Sequence, residues 1–301
     1  MDLSVYGGTG IIGSYYQGLF PCQVVEREQL DPCSKEVLYL ISTTDNATFK
    51  EDPLIDIDTN LTQLMRRLEA CKNNGVKVFN FVSSWFVYGP GHRQPHEQVV
   101  CQPNGFYSIT KYTAERLVQE YCGEFGIAYR ILRLGNVYGG SDPGTLKRNA
   151  LHFMVSRLRK NESVRVHNYV SRDFIHIMDV CRAMELVCRE GSLNQIYNIG
   201  TGKTTEFVQA MQECKEILNS RGEIFRVNPP KNYNQAVRFS LDCSLLKGLG
   251  FEPLFFIHEG LTDLCLNRKF CTPDRTLMDK RLKQRSKTAR RKLVSSWKRS
   301  R

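Results

Sequence analysis

Residues 3–13 read LSVYGGTGIIG, and the fold is decided there. Leu3–Tyr6 is a short apolar run suited to a strand. It feeds directly into Gly7-Gly8-Thr9-Gly10, after which residues 11–17 take a helical pattern. Each glycine at position 7, 10 and 13 has its own reason to be bare backbone. Gly7 allows a tight turn, Gly10 lets a pyrophosphate approach the main chain, and Gly13 lets the helix lie close on the strand. The helix start at Ile11, Ile12 and Gly13 then offers free N–H groups and a partial positive charge to an anion. The expectation is a dinucleotide turn at the first strand–helix junction.

Working outward, Gln23–Val25 is a second strand, followed by Glu26 and Arg27. An acidic residue about 20 positions past the glycines usually holds the adenosine ribose. Glu26 would accept from a 2′-hydroxyl and favour NAD. Arg27 would pair with a 2′-phosphate and favour NADP. The reading leans to NAD and leaves NADP open. Residues 37–41 (VLYLI) are a continuous apolar run, as expected for a strand covered on both faces. Residues 60–72 place Leu61, Leu64, Met65, Leu68 and Cys71 on one helical face. A strand at 76–82, a helix at 107–121 and a strand at Ala128–Leu134 continue the alternation. Beyond Gly140, helices are expected at 146–158, 178–188, 205–218 and 258–267, with short strands at 164–166, 173–176 and Gln195–Ile199. This order predicts an α/β fold: a Rossmann-type, doubly wound parallel sheet with a smaller C-terminal α/β substrate-binding part. Residues 1–140 and 172–200 would form the dinucleotide part, 141–171 and 201–268 the substrate part, and 269–301 a basic tail.

Composition excludes several classes. At 301 residues and 41% hydrophobic the chain can bury a sizeable core, and it has no apolar run of membrane-spanning length. The start MDLSVYGGTG lacks the features of an export signal. Eleven cysteines without a Cys-x-x-Cys pair signal neither zinc nor a redox motif, and suit a reducing cytoplasm. The histidines show no ligand spacing, so no metal is expected. The net charge of +11 is concentrated in the last 34 residues, which carry +12 and leave the remainder at −1. Within that tail Ala289, Leu293 and Trp297 recur every four positions, as in a basic helix able to touch an anionic surface. No base-reading motif accompanies it, so sequence-specific nucleic-acid binding is not expected.

The chemistry gathers at residues 107–111, YSITK. On a helix Tyr107 and Lys111 share a face. A free phenol has a pKa near 10. A neighbouring ammonium favours the phenolate and lowers that value, so Tyr107 could exchange a proton with a substrate hydroxyl. A hydroxyl at a strand end should bind the same oxygen, and Ser84, at the end of VFNFVSS, is the candidate.

These motifs together resemble the extended short-chain dehydrogenase/reductases, the NAD-dependent epimerase/dehydratase family. GGTGIIG is similar to its GxxGxxG turn. FVSSWFVYG (81–89), YSITK, RLGNVYG (133–139), RDFIHIMDV (172–180) and YNIGTG (197–202) follow in the family's order. The resemblance implies a catalytic triad of Ser84, Tyr107 and Lys111, with Asn60 helping to complete the site. It implies a nucleotide-sugar substrate whose diphosphate is met by Asn136 and Arg172, with Arg238 adding a second phosphate contact. It also implies a homodimer packed through helices that include residues 104–125. Two departures stand out. Only about ten residues separate the second strand from VLYLI, where relatives usually carry another helix and strand of the adenine pocket. Leu134 replaces the proline of RPxN. The dehydratases of the family carry adjacent Asp and Glu where this chain has Trp85 and Phe86, which argues against dehydration. A 4-epimerase acting by transient C4 oxidation, or a 4-keto reductase, is what the resemblance then implies. A cofactor-binding sensor that has lost turnover is the rival from another class.

Overall fold

The computed structural model describes residues 2–44, 52, 54–140, 150–230 and 237–266. β1 (Leu3–Tyr6) turns into α1 (Ile11–Leu19). β2 (Gln23–Val25) then lies on one side of β1 and β3 (Glu36–Tyr39) on the other, both parallel to it. A helical stretch follows: α2 (Ile55–Ile57), a π-helical turn at Asp58–Thr62, and α3 (Gln63–Asn73). β4 (Val78–Ser84) ends in a 3₁₀ turn, Trp85–Tyr88. Next come α4 (Phe106–Glu124), β5 (Ala128–Leu134), β6 (Asn136–Tyr138) and α5 (Ala150–Arg159). The remainder comprises β7 (Val164–His167), β8 (Ser171–Arg172), β9 (Phe174–His176), α6 (Ile177–Glu190) and β10 (Gln195–Ile199). It closes with β11 (Thr205–Glu206), α7 (Phe207–Leu218), β12 (Ile224–Val227), α8 (Ser244–Gly248) and α9 (Ile257–Leu266).

The main sheet has six parallel strands in the order β10-β5-β4-β3-β1-β2. The direction of winding reverses at β1, and ligands bind open α/β sheets at such a switch point, outside the carboxyl ends. Strand alternation divides the core between two faces. Leu3, Val5, Leu38, Val82 and Leu132 point to the side of α1 and α6. Tyr6, Val37, Tyr39, Phe79, Phe81 and Ile131 point to the side of α3 and α4. The inner strands β1, β3 and β4 are buried on both faces, which is why VLYLI shows no polar alternation. A third cluster gathers Leu151, Val155, Val164, Met211, Leu261 and others from α5, β7, α7 and α9.

The connection between β2 and β3, residues 26–35, is a crossover without a helix, in line with the short spacing seen in the sequence. A parallel return usually needs a dozen or more residues; here the chain is held against the sheet by side chains instead. The Tyr6 hydroxyl donates to Leu30 O, the Ser4 hydroxyl accepts from Cys33 N–H at 2.9 Å, and Arg67 Nη2 donates to Arg27 O at 3.1 Å. The strand expected at 173–176 is β9, starting one residue later and preceded by β8; between them Asp173 binds Thr201 and Gly202 with its carboxylate. The helix expected from residue 205 begins at Phe207, since Thr205 and Glu206 pair with β8. β6 and β12 were not expected; each is only three or four residues and exists by pairing with a distant partner. The helix expected from residue 60 opens as the π turn. Residues 146–149 of the helix expected at 146–158, Asn267, and the tail lie outside the described residues. No helix among the described residues is long and apolar enough to cross a membrane.

Candidate active site

Because the sheet is parallel, the ends of β1, β3, β4 and β5 open on one edge. The glycine turn sits there, at the switch point. Gly7 has φ +81°, and a side chain on it would press on Ile41 N at 3.1 Å. Gly10 N–H donates to Gly7 O at 3.1 Å, closing the turn. A Cβ on Gly13 would lie 2.3 Å from Gly7 O and 2.6 Å from Gly8 Cα, so α1 can start this close only with glycine at that position. The first intrahelical bond is Ser14 N–H to Gly10 O, and no side chain caps the helix. The N–H groups of Ile11, Ile12 and Gly13 therefore have no intrahelical acceptor. This uncapped end behind bare backbone fits a pyrophosphate. Glu26 and Arg27 lie exposed just past the end of β2, where Val25 pairs with Tyr6. The Arg27 carbonyl is held by Arg67, while its side chain projects from the surface.

Ser84, Tyr107 and Lys111 each lie about the end of β4. Ser84 closes the strand and its Oγ accepts from Phe86 N–H at 3.4 Å, which leaves the hydroxyl proton to donate elsewhere. Tyr107 is buried in the first turn of α4, with the Phe86 ring edge-on at 5.7 Å. One helical turn on, Lys111 Nζ donates to Val82 O at 2.7 Å and sits 4.2 Å from the Phe81 ring centre. Burial pushes the Lys111 ammonium down to about 7, against the opposing pull of Glu115. Lys111 can thus hold or lose a proton near neutrality.

Asn60 lies in the π turn, a distortion often found at functional sites. Its Oδ1 accepts from Thr43 N–H and the Ser42 hydroxyl, both at 3.0 Å. Its Nδ2 donates to Thr43 Oγ1 at 2.8 Å and Thr110 Oγ1 at 2.9 Å. All its side-chain capacity ties the end of β3 to α4, between Tyr107 and Lys111. Through these bonds Asn60 braces α4 beside Tyr107 and Lys111. Thr43 and Thr110 were not singled out from the sequence, although Thr110 lies inside YSITK.

On the substrate side, Asn136 starts β6, and its buried Nδ2 has no partner among the described residues. Arg172 is buried, donating from Nη1 to Ser171 O and Val237 O at 2.8 and 3.2 Å, with its guanidinium 5.2 Å from the Trp85 ring centre. Arg238 bridges to Ser171 through the backbone and is solvent-exposed, 3.9 Å from Glu206. Its exposure leaves that ion pair weak. The two arginines thus share one strand junction but differ in accessibility.

Residues 24–200 match the model of the NAD dependent epimerase/dehydratase family. A putative UDP-glucose 4-epimerase of Methanocaldococcus jannaschii is 29% identical over 215 residues, covering 70% of this chain and 69% of that protein. A dTDP-D-glucose 4,6-dehydratase of Dictyostelium discoideum is 28% identical over 212 residues, 65% of this chain but only 46% of its own length. The crystal structure of UDP-glucose 4-epimerase with UDP-glucose from Thermotoga maritima superposes with a TM-score of 0.76 at 26% identity, covering 93% of this chain and 99% of that one.

Proposed function

The chain belongs to the NAD dependent epimerase/dehydratase family, and on that premise we propose that it is a sugar-nucleotide 4-epimerase using NAD. The observation that carries this reading is the convergence of Ser84, Tyr107 and Lys111 on the end of β4, beside Trp85 and Phe86. When bound at the glycine turn, the cofactor supplies hydride acceptance and return at C4. Tyr107 takes the proton of the C4 hydroxyl and later gives it back. Lys111 favours the phenolate by its charge, and Ser84 donates to the same oxygen. Elimination of water would need an acid and a base at C5 and C6, and neither Trp85 nor Phe86 can exchange a proton. The similarity to UDP-glucose 4-epimerases supports epimerisation.

A 4-keto reductase would use the same residues with NADPH, and the exposed Arg27 beyond β2 favours that second reading. Asn136 and Arg172 are proposed as diphosphate contacts, with Arg238 adding a second phosphate contact from the same strand junction. The division into a dinucleotide part, a substrate part and a tail is likewise proposed. So are a cytoplasmic location, a tail that touches an anionic surface, and a homodimer through the exposed Phe106 and Ile109 of α4 and Phe125 just past its end.

Incubation with UDP-, dTDP- and GDP-hexoses and either cofactor separates the readings. The epimerase interconverts C4 epimers without net change at 340 nm. Net NADPH consumption with a 4-keto sugar would replace it by the reductase. Cofactor binding without any turnover would leave only the sensor. Tyr107→Phe is expected to lower kcat by about 10²–10⁴; unchanged turnover would remove Tyr107 from the mechanism.

A further inference from the structure

Phe86, in the turn that leaves β4, is partly exposed and in ring contact with Tyr107. Its position is fixed from behind. The Trp85 ring lies 4.3 Å from it at 31°, and Trp85 stacks in turn on Phe239, also at 4.3 Å. The Arg172 guanidinium lies against the same indole at 5.2 Å. In addition, Phe86 N–H is hydrogen-bonded to Ser84 Oγ, which ties the main chain of this turn to the same hydroxyl.

Resting on the reading of Tyr107 as the group that meets the C4 hydroxyl, we propose that Phe86 is a specificity-determining residue, selecting a 6-deoxy sugar over one with a hydroxyl or carboxylate at C6. A C4 oxygen held at the phenol puts one of the two neighbouring ring carbons against the Phe86 edge. C3 bears a hydroxyl in the common hexoses, which a benzene edge cannot satisfy. C5 bears a carbon arm, and that arm is wholly apolar only when C6 is a methyl. A hydroxymethyl there would lose its water and gain no partner. A carboxylate would fare worse, since the wall offers neither charge nor donor.

The test compares UDP-6-deoxyglucose with UDP-glucose in the full-length protein, so that the nucleotide cancels. The wild type is expected to favour the 6-deoxy sugar in kcat/KM by about 10–100-fold, the range in which an apolar pocket discriminates a single hydroxyl. Phe86→Ser should erase most of that ratio, and Phe86→Leu should keep it. Circular dichroism melts confirm that each variant folds. The same ratio is read as Kd by calorimetry in a Tyr107→Phe background, where turnover is not needed. Equal preference in the wild type, or a ratio untouched in Phe86→Ser, would overturn the assignment of Phe86 while leaving the epimerase reading in place. If neither nucleotide sugar binds or turns over, the underlying functional reading fails and Phe86 falls with it.

Discussion

The Lys111 side chain is 1% exposed, and its ammonium donates to Val82 O at 2.7 Å and faces the Phe81 ring. Burial lowers its pKa from 10.5 to about 7, which corresponds to roughly 5 kcal/mol of native-state destabilisation while the group is charged. The sign follows from proton counting. Below pH 7 both folded and unfolded chains carry the charge, and the whole cost is present. Between pH 7 and about 10.5 the folded chain sheds its proton while the unfolded chain keeps it, so stability rises with pH. Lys111→Met should therefore raise Tm at pH 6 by at least ~3 °C, even after Val82 O loses its donor at a cost of about 1–3 kcal/mol. The gap between variant and wild type should shrink toward pH 10, and turnover should vanish. Calorimetry at pH 6, 8 and 9.5 checks this. A variant less stable than wild type at pH 6 would mean that the ammonium is not strained. Phe86 shows how an apolar neighbour works at the same scale: its N–H directs the Ser84 hydroxyl while its ring limits what can approach Tyr107.

At the scale of elements, the start of α1 makes the sharpest demand. Helix propensity alone predicts that Gly13→Ala stabilises α1 by about 1 kcal/mol. The contacts predict the opposite sign, because the new methyl would lie 2.3 Å from Gly7 O and 2.6 Å from Gly8 Cα, backbone atoms that cannot swing away. The turn must open, at about 1–3 kcal/mol by analogy with overpacked cores, and the pyrophosphate cradle opens with it. Thermal denaturation should show a lower Tm, and NAD titration a Kd raised at least tenfold; a stabilised variant with wild-type affinity would contradict the geometry. This turn was legible in the sequence because its requirements are local: three glycines, a strand before and a helix after. The Tyr107–Lys111 spacing was legible for the same reason. The shortness of the return from β2 to β3 was legible too, but what holds it was not, because Ser4, Tyr6 and Arg67 pin it from other parts of the chain. Nor was the role of Asn60, whose partners Ser42, Thr43 and Thr110 meet it only after folding. β7 and β9 were legible, but their partners β12 and β6 were hidden likewise, since these short runs become strands only by pairing with a distant segment.

For the molecule as a whole, the question is what couples the third hydrophobic cluster to the parallel sheet. α6 packs on the sheet with Ile177, Met178, Val180 and Met184, and its first turn carries Asp179, which is fully buried. That carboxylate accepts from Leu254 N–H at 3.0 and 2.9 Å and from Phe255 N–H at 2.9 Å, and pairs with Arg182 at 2.6 Å. It thereby fixes the segment that leads into α9, whose Leu261 and Cys265 belong to the third cluster. The N-terminal dipole of α6 adds to the stability of the charge. Asp179→Asn leaves an amide donor facing two N–H donors and strands the Arg182 charge. Breaking a buried pair of this kind costs about 3–5 kcal/mol. The loss should not spread evenly, because β1, β3, β4 and β5 keep every ladder bond. Hydrogen exchange in the variant should accelerate in α9 and in α7, which packs beside it, while the central strands stay protected. Cofactor affinity should change little, because the glycine turn is untouched, whereas KM for the nucleotide sugar should rise. Uniform acceleration across the central sheet would instead mean that the two regions unfold as one unit, and that the Asp179 clasp does not separate them.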